Sequence, residues 1–163
     1  MLFRSLMKPP GDRGIFAAIH GGGIMHSMDE GRTWAPRDKG ITVNHVYSLG
    51  YNETPDGVVL YCGTEPVSLF RSTDDGLSWT ELPAIGKVPG HEKWRFPLPP
   101  HLAHTKSYLF DKRDPNAFYV AIEQGALLKT TDGGKSWREL DSYWRPTDVW
   151  PDRKSTRLNS SHT

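Results

Sequence analysis

Imidazole and carboxylate side chains at matching positions are the groups of this 163-residue chain that could take part in chemistry. One set lies seven residues before each copy of a repeated motif and comprises His20, Glu65 and Glu123. A second set begins three predicted strands and comprises His45, His104 and Asp148. Most glycoside hydrolases act through two carboxylates about 5–9.5 Å apart. Glu65, Glu123 and Asp148 could supply such a pair, provided that equivalent positions of successive repeats are not too widely separated.

A long proline-containing segment separates the second repeat from the third, from Lys87 to Leu102. Loops of this length in compact domains are often functional, and an aromatic ring beside a guanidinium suits contacts with sugars or peptides. We therefore predict a ligand-binding face that comprises His20, His45, Glu65, Trp94, Arg95, His104, Glu123 and Asp148. The alternative is a solvated loop that only caps the end of the fold.

Three copies of one motif, Ser/Thr-x-Asp-x-Gly-x-Ser/Thr-Trp, mark the elements that must position these side chains. The copies begin at Ser27, Ser72 and Thr130 and are 45 and 58 residues apart. A four-stranded propeller blade takes about 40–50 residues, so the second interval indicates an insertion. The residues that carry the motif are Ser27, Asp29, Gly31 and Trp34, then Ser72, Asp74, Gly76 and Trp79, then Thr130, Asp132, Gly134 and Trp137.

The residue types of the motif predict a tight hairpin turn. An Asp carboxylate accepts hydrogen bonds from nearby backbone N–H groups, and Gly supplies the positive φ that such a turn needs. The Trp then begins the next strand and buries a large ring. We therefore interpret the aspartates as structural and not as catalysts. They also lack the alternating ligands and distal Glu of an EF-hand, and we predict no metal site and no cofactor.

The motif resembles the Asp-box, or bacterial neuraminidase (BNR) repeat, of sialidase-like β-propellers, sortilin-type receptors and photosystem assembly factors, over residues 14–150. The resemblance implies an all-β, incomplete β-propeller of four-stranded antiparallel blades, with the Asp-box turn between strands three and four. It implies a ligand-binding or assembly scaffold for a carbohydrate or a protein, which also contacts the remaining blades of the same propeller. A glycoside hydrolase of the sialidase-like superfamily is the alternative. Sialidase activity itself is not expected, because the chain has no Arg-Ile-Pro segment and no arginines at matching positions.

Short aromatic and β-branched runs precede each copy of the motif, and no segment has a helical period, so almost no helix is expected. The first repeat lacks a convincing first strand. The predicted division is a partial blade at 1–41, a blade at 42–85, an insertion at 86–102, a blade at 103–141 and the start of another at 142–151. Propellers typically have 4–8 blades, so this piece is not expected to close a ring.

The C-terminal residues 152–162 match, in order, the translation of a common sequencing adapter, so we interpret 152–163 as a non-native tail and expect the native sequence to stop near Pro151. Without that tail, 17 Lys and Arg stand against 18 Asp and Glu. This balance favours neither nucleic acid nor a membrane surface as a partner.

The remaining composition predicts no membrane-spanning helix and no cysteine-based site, and it does not define the cellular compartment. No apolar run approaches the ~18 residues of a spanning helix. The first ten residues are too short and too charged for a signal peptide, but Met1 need not be the true start. The single cysteine, Cys62, excludes an internal disulfide framework and a Cys-rich zinc site, and we predict it to be a small core residue.

Overall fold

A computed structural model describes the chain from residue 2 to residue 142 and contains three four-stranded sheets. Blade 1 consists of β1 (Phe3–Met7), β2 (Ile15–Ile19), β3 (Gly23–Ser27) and β4 (Ala35–Pro36). Blade 2 consists of β5 (Val46–Thr54), β6 (Gly57–Thr64), β7 (Leu69–Ser72) and β8 (Thr80–Glu81). Blade 3 consists of β9 (Thr105–Phe110), β10 (Phe118–Ile122), β11 (Ala126–Thr130) and β12 (Arg138–Ser142).

Every sheet is an antiparallel meander in which strands pair in chain order. The first strand of one blade packs against the first strand of the next, because β1 contacts β5 and β5 contacts β9. These three strands line a cavity of about 420 Å³. The predicted all-β fold, an incomplete β-propeller of four-stranded blades, is therefore confirmed.

The structure differs from the sequence prediction in blade 1, where a full sheet replaces the expected partial one. β1 pairs with β2 from Phe3 to Met7, and among its side chains only Met7 is buried. Because Arg4, Leu6 and Phe3 are exposed, β1 has no alternation of buried and polar residues that sequence patterns could detect. The predicted start of a further blade at 142–151 and the tail at 152–163 lie outside the described residues, apart from Ser142.

The insertion between blades 2 and 3 contains the only helical turns within residues 2–142. They are two short 3-10 helices, Pro83–Lys87 and His91–Lys93. No helix in this part of the chain is long and apolar enough to cross a membrane.

Two hydrophobic clusters hold neighbouring blades together. Between blades 1 and 2, Phe16, Ile24, Leu60 and Phe70 are fully buried. Cys62 lies in this cluster as a free thiol, and burial raises its pKa well above the usual value.

Between blades 2 and 3, the Tyr61 ring meets Phe110 and Phe118 at centroid distances of 5.1 and 5.0 Å. Leu69 is fully buried in the same cluster. Blades 1 and 2 therefore complete their cores only when the following blade covers them.

Candidate functional site

The three motif turns, which we call the turn face, form the same hydrogen-bond network. In the first copy, Ser27 Oγ donates to Asp29 Oδ1 at 2.8 Å and accepts the Gly31 N–H at 2.8 Å. Asp29 Oδ1 accepts the Thr33 N–H at 2.8 Å, and Oδ2 accepts the Thr33 hydroxyl at 2.6 Å. The turns at Ser72 and Thr130 repeat these bonds at 2.5–2.9 Å.

These bonds stabilise the ionised carboxylates. The hydroxyl bond from Thr33 or Ser78 or Ser136, followed by the backbone N–H of the same residue, lowers the pKa of each aspartate to about 2. A carboxylate that is occupied in this way is a poor proton carrier near neutral pH.

The tryptophans of the motif have three different environments, although the turns are alike. Trp79 is 4% exposed, and its Nε1–H donates to the Arg37 carbonyl of blade 1 at 2.8 Å. Trp34 Nε1–H donates to Gly31 O of its own turn at 3.0 Å. Trp137 packs edge-on against Phe118 at a centroid distance of 5.3 Å.

The opposite end of the blades, which we call the histidine face, carries the predicted ligand residues at equivalent backbone positions. The His20 N–H donates to Leu2 O at 3.0 Å, the Glu65 N–H to His45 O at 2.9 Å and the Glu123 N–H to His104 O at 3.0 Å. His20, His45, Glu65, His104 and Glu123 are therefore brought to one face. Asp148 lies outside the described residues.

His104 is the centre of the blade 2–blade 3 interface at this face. Its side chain is 0% exposed, Nε2 lies 2.5 Å from Glu123 Oε2, and Nδ1 lies 3.2 Å from Glu65 Oε2. The Nδ1 contact has ion-pair distance without the alignment of a hydrogen bond, so Nδ1 has no hydrogen-bond partner within residues 2–142. The ring therefore lies between two carboxylate groups, one from each blade.

Neighbouring groups extend this cluster. The Tyr47 ring stacks on His104 at a centroid distance of 3.6 Å, and Phe96 of the insertion lies 5.2 Å away. Lys106 Nζ donates to Glu123 Oε2 at 2.7 Å. Burial alone would raise the pKa of the Glu123 carboxyl, but hydrogen bonds and charges from Lys106 and His104 outweigh burial and hold that pKa below its usual value.

A second cluster lies at the blade 1–blade 2 interface of the same face. The rings of His20 and His45 meet at a centroid distance of 4.9 Å. Arg4 Nη2 lies 3.1 Å from His20 Nδ1, and its guanidinium lies 5.0 Å above the centre of the Tyr47 ring. His20, His45 and Arg4 are exposed to solvent.

Sequence reasoning did not identify Arg4, Tyr47 or Lys106 as site residues. Each stands two residues beyond Leu2, His45 or His104, where the first strand of each blade has a β-bulge. The same count that identified the histidines, continued by two residues, would have found them.

The insertion provides one predicted residue to an open pocket and one to the core. Arg95 lines a pocket of about 670 Å³ with Glu92, Lys93, Phe96, Pro97, His101 and Gln124. Trp94, in contrast, is only 9% exposed and packs in the cluster between blades 2 and 3. Its ring therefore anchors the insertion.

The geometry does not provide a free pair of catalytic carboxylates among the described residues. Glu65 and Glu123 approach opposite nitrogens of His104, so the imidazole ring occupies the space between them. No three His, Cys, Asp or Glu side chains between residues 2 and 142 are arranged to hold a metal ion.

Comparisons with known proteins give partial matches. No family model matches the chain. It is 27% identical over 141 residues to the photosystem II assembly protein Ycf48 of Thermosynechococcus vestitus, which covers 85% of this chain and 35% of that protein. It is 32% identical over 95 residues to the vacuolar protein sorting/targeting protein 10 of Verticillium alfalfae, over 58% of this chain and 6% of that protein. The chain thus spans about a third or less of the length of these relatives.

Solved structures match the fold. YCF48 bound to a D1 peptide superposes with a TM-score of 0.58 at 22% identity, over 84% of this chain and 39% of that one. An ancestral GH74 enzyme, AFV00434, superposes with a TM-score of 0.62 at 17% identity, over 86% of this chain and 18% of that one. These similarities support a β-propeller and, at such identities, do not transfer an activity.

Proposed function

We propose that the chain is part of a β-propeller scaffold that binds a peptide segment of a protein partner at the histidine face and carries out no catalysis of its own. The observation that carries this proposal is the open pocket of about 670 Å³ beside the His104 cluster. It combines an aromatic ring and a proline with several donor groups, which is the composition of a peptide-binding surface.

The insertion is held in a fixed position, as a binding loop requires. Trp94 packs in the core, and Phe96 lies against His104. Gln124, which lines the pocket, follows Glu123, whose carboxylate is held by His104 and Lys106. A loop that is ordered before binding loses less conformational entropy when the ligand arrives.

The relatives agree with a scaffold. One is an assembly protein, and a solved YCF48 structure holds a D1 peptide. Under this proposal, 1–41, 42–85 and 103–141 are three blades, 86–102 is a binding insertion and 142–151 begins a further blade. The tail at 152–163 remains, in our interpretation, non-native.

The glycoside hydrolase alternative is weaker, because Glu65 and Glu123 are occupied by His104 and Lys106. Hydrolysis needs both carboxylates to face the scissile bond from opposite sides.

The test is fluorescence polarisation of a labelled D1 peptide with the full chain. Saturable binding is expected, and Arg95→Ala should weaken it about tenfold, because a charge-assisted hydrogen bond contributes about 1.5–3 kcal/mol. The matched control is Lys135→Ala on the turn face, which should leave the affinity unchanged. Absence of binding together with release of reducing sugar from xyloglucan, on which a GH74 xyloglucanase of similar fold acts, would reverse the preference for a scaffold.

A further inference from the structure

On the histidine face, the two interfaces between blades carry different residue types at equivalent positions. One has carboxylates where the other has a histidine. In the blade 2–blade 3 interface, His104 lies between Glu65 of the preceding blade and Glu123 of its own blade. In the blade 1–blade 2 interface, the residue equivalent to His104 is His45, and the residue equivalent to Glu65 is His20. A histidine therefore replaces the carboxylate of the preceding blade.

The own-blade carboxylate is also missing from the first interface. Glu65 directs Oε2 to His104 Nδ1 at 3.2 Å and so serves the other interface. Within residues 2–142, no carboxylate forms an ion pair with His20, His45 or Arg4. Three exposed groups that can each donate or carry positive charge thus face solvent together.

We propose that His20, His45 and Arg4 form a binding site for a carboxylate group supplied by a ligand. The bound carboxylate would lie beside His45 as the carboxylates of Glu65 and Glu123 lie beside the equivalent residue, His104. Arg4 is held by its contact with His20 and by stacking on Tyr47, and a guanidinium so placed binds carboxylates with two N–H groups.

The site adds a ligand group to the proposed function. Only the assignment of the bound carboxylate to a peptide rests on that proposal. It defines the chemical class of one ligand group, a carboxylate, which a peptide supplies either at its C-terminus or on an acidic side chain.

The experiment follows the ring nitrogen signals of His20 and His45 by NMR in the full chain at pH 6. The probes are acetyl-Gly-Gly-Ala with a free C-terminus, the same peptide as its amide, and acetyl-Gly-Glu-Gly-amide. Saturable shifts with either acid and none with the plain amide are expected, and the acid that binds more tightly identifies the source of the carboxylate. Equal shifts with the neutral amide, or no saturation with either acid, would overturn the proposal.

Two variants make the test specific. His20→Glu supplies the missing carboxylate from within the chain, so it should pair with His45 and Arg4 and weaken binding at least about tenfold. His91→Gln removes an exposed histidine of the insertion and should leave binding unchanged. Unaltered binding by His20→Glu would contradict the site. Failure of the D1 peptide to bind, with the small acids still binding at His20 and His45, would reject the scaffold function and retain the carboxylate site.

Discussion

The turn face and the histidine face of this molecule use repetition in opposite ways. On the turn face, the same residue types recur at the same positions and form the same bonds three times. On the histidine face, equivalent backbone positions carry His20, Glu65 and Glu123, and their side chains form different contacts. The comparison teaches that identical residues in each repeat define the blade, whereas residues that differ between repeats can define a site.

The physical basis of the difference is the location of the bonding partners. Each motif turn satisfies its carboxylate within about seven residues of chain, so it needs nothing from the neighbouring blade. His104 is satisfied by one carboxylate of its own blade and another of the preceding blade. Changes on the histidine face should therefore alter how blades join, and changes to the aspartates of the motif turns should alter single blades.

The largest expected effect is a difference in stability between two tryptophan variants of the turn face. Trp79→Ala removes a buried ring and its bond to Arg37 O, so it should reduce the free energy of unfolding by about 3–5 kcal/mol. Trp34→Ala, in which the ring is half-buried and bonded within its own turn, should cost about 1 kcal/mol. Urea unfolding followed by circular dichroism measures both. Equal losses would mean that the burial of Trp79 and its bond to Arg37 O contribute no more than the contacts of Trp34 inside its own turn.

The next effect concerns the bond between blades. His104→Leu leaves Glu65 and Glu123 facing an apolar side chain, which should lower the free energy of unfolding by about 2–3 kcal/mol. Adding Glu65→Gln and Glu123→Gln removes the unpaired charge of Glu65 and the charge of Glu123, which only Lys106 still balances, and should restore most of the loss. If the triple variant is no more stable than His104→Leu, packing of the ring and not its charge holds the interface.

Smaller effects should follow from removing the hydroxyl that begins each motif turn. Ser27→Ala, Ser72→Ala and Thr130→Ala each delete a group that accepts a backbone N–H and donates to the aspartate. Each should cost about 1 kcal/mol, and because the turns are independent, the losses should add in the triple variant. Losses that differ strongly among the three copies would contradict their equivalence.

The stability that the turn face contributes should depend on pH in the acid range. The pKa of Asp29, Asp74 and Asp132 is lowered from 3.8 to about 2, so their stabilising bonds are fully present above pH 4 and are lost as the pH falls towards 2. The urea midpoint should decrease through this range. A variant with Asn at all three positions should show a smaller decrease, and a change as large as that of the unaltered chain would place the acid-sensitive groups elsewhere.

Sequence patterns predicted most of the fold because the motif fixes the register of each blade. Counting from Ser27, Ser72 and Thr130 located strands and equivalent face positions without any knowledge of packing. The sequence pattern did not predict β1, because most of its side chains are exposed. The partners of individual side chains could not be predicted, and the burial of Trp94 is one example. Whether a ring at a known position turns inwards or outwards depends on the neighbouring blade.

The burial of Tyr61 and Leu69 by blade 3 has a consequence for synthesis on the ribosome. These side chains belong to a sheet that ends its third strand at Ser72, yet the residues that cover them extend to Leu128. At about 5–20 residues per second, the apolar surface of blade 2 stays uncovered for roughly 3 to 11 seconds after Ser72 is added to the chain. Each blade therefore matures with a delay of one repeat, and nascent chains of this fold pass through an interval in which a chaperone has a defined apolar surface to bind.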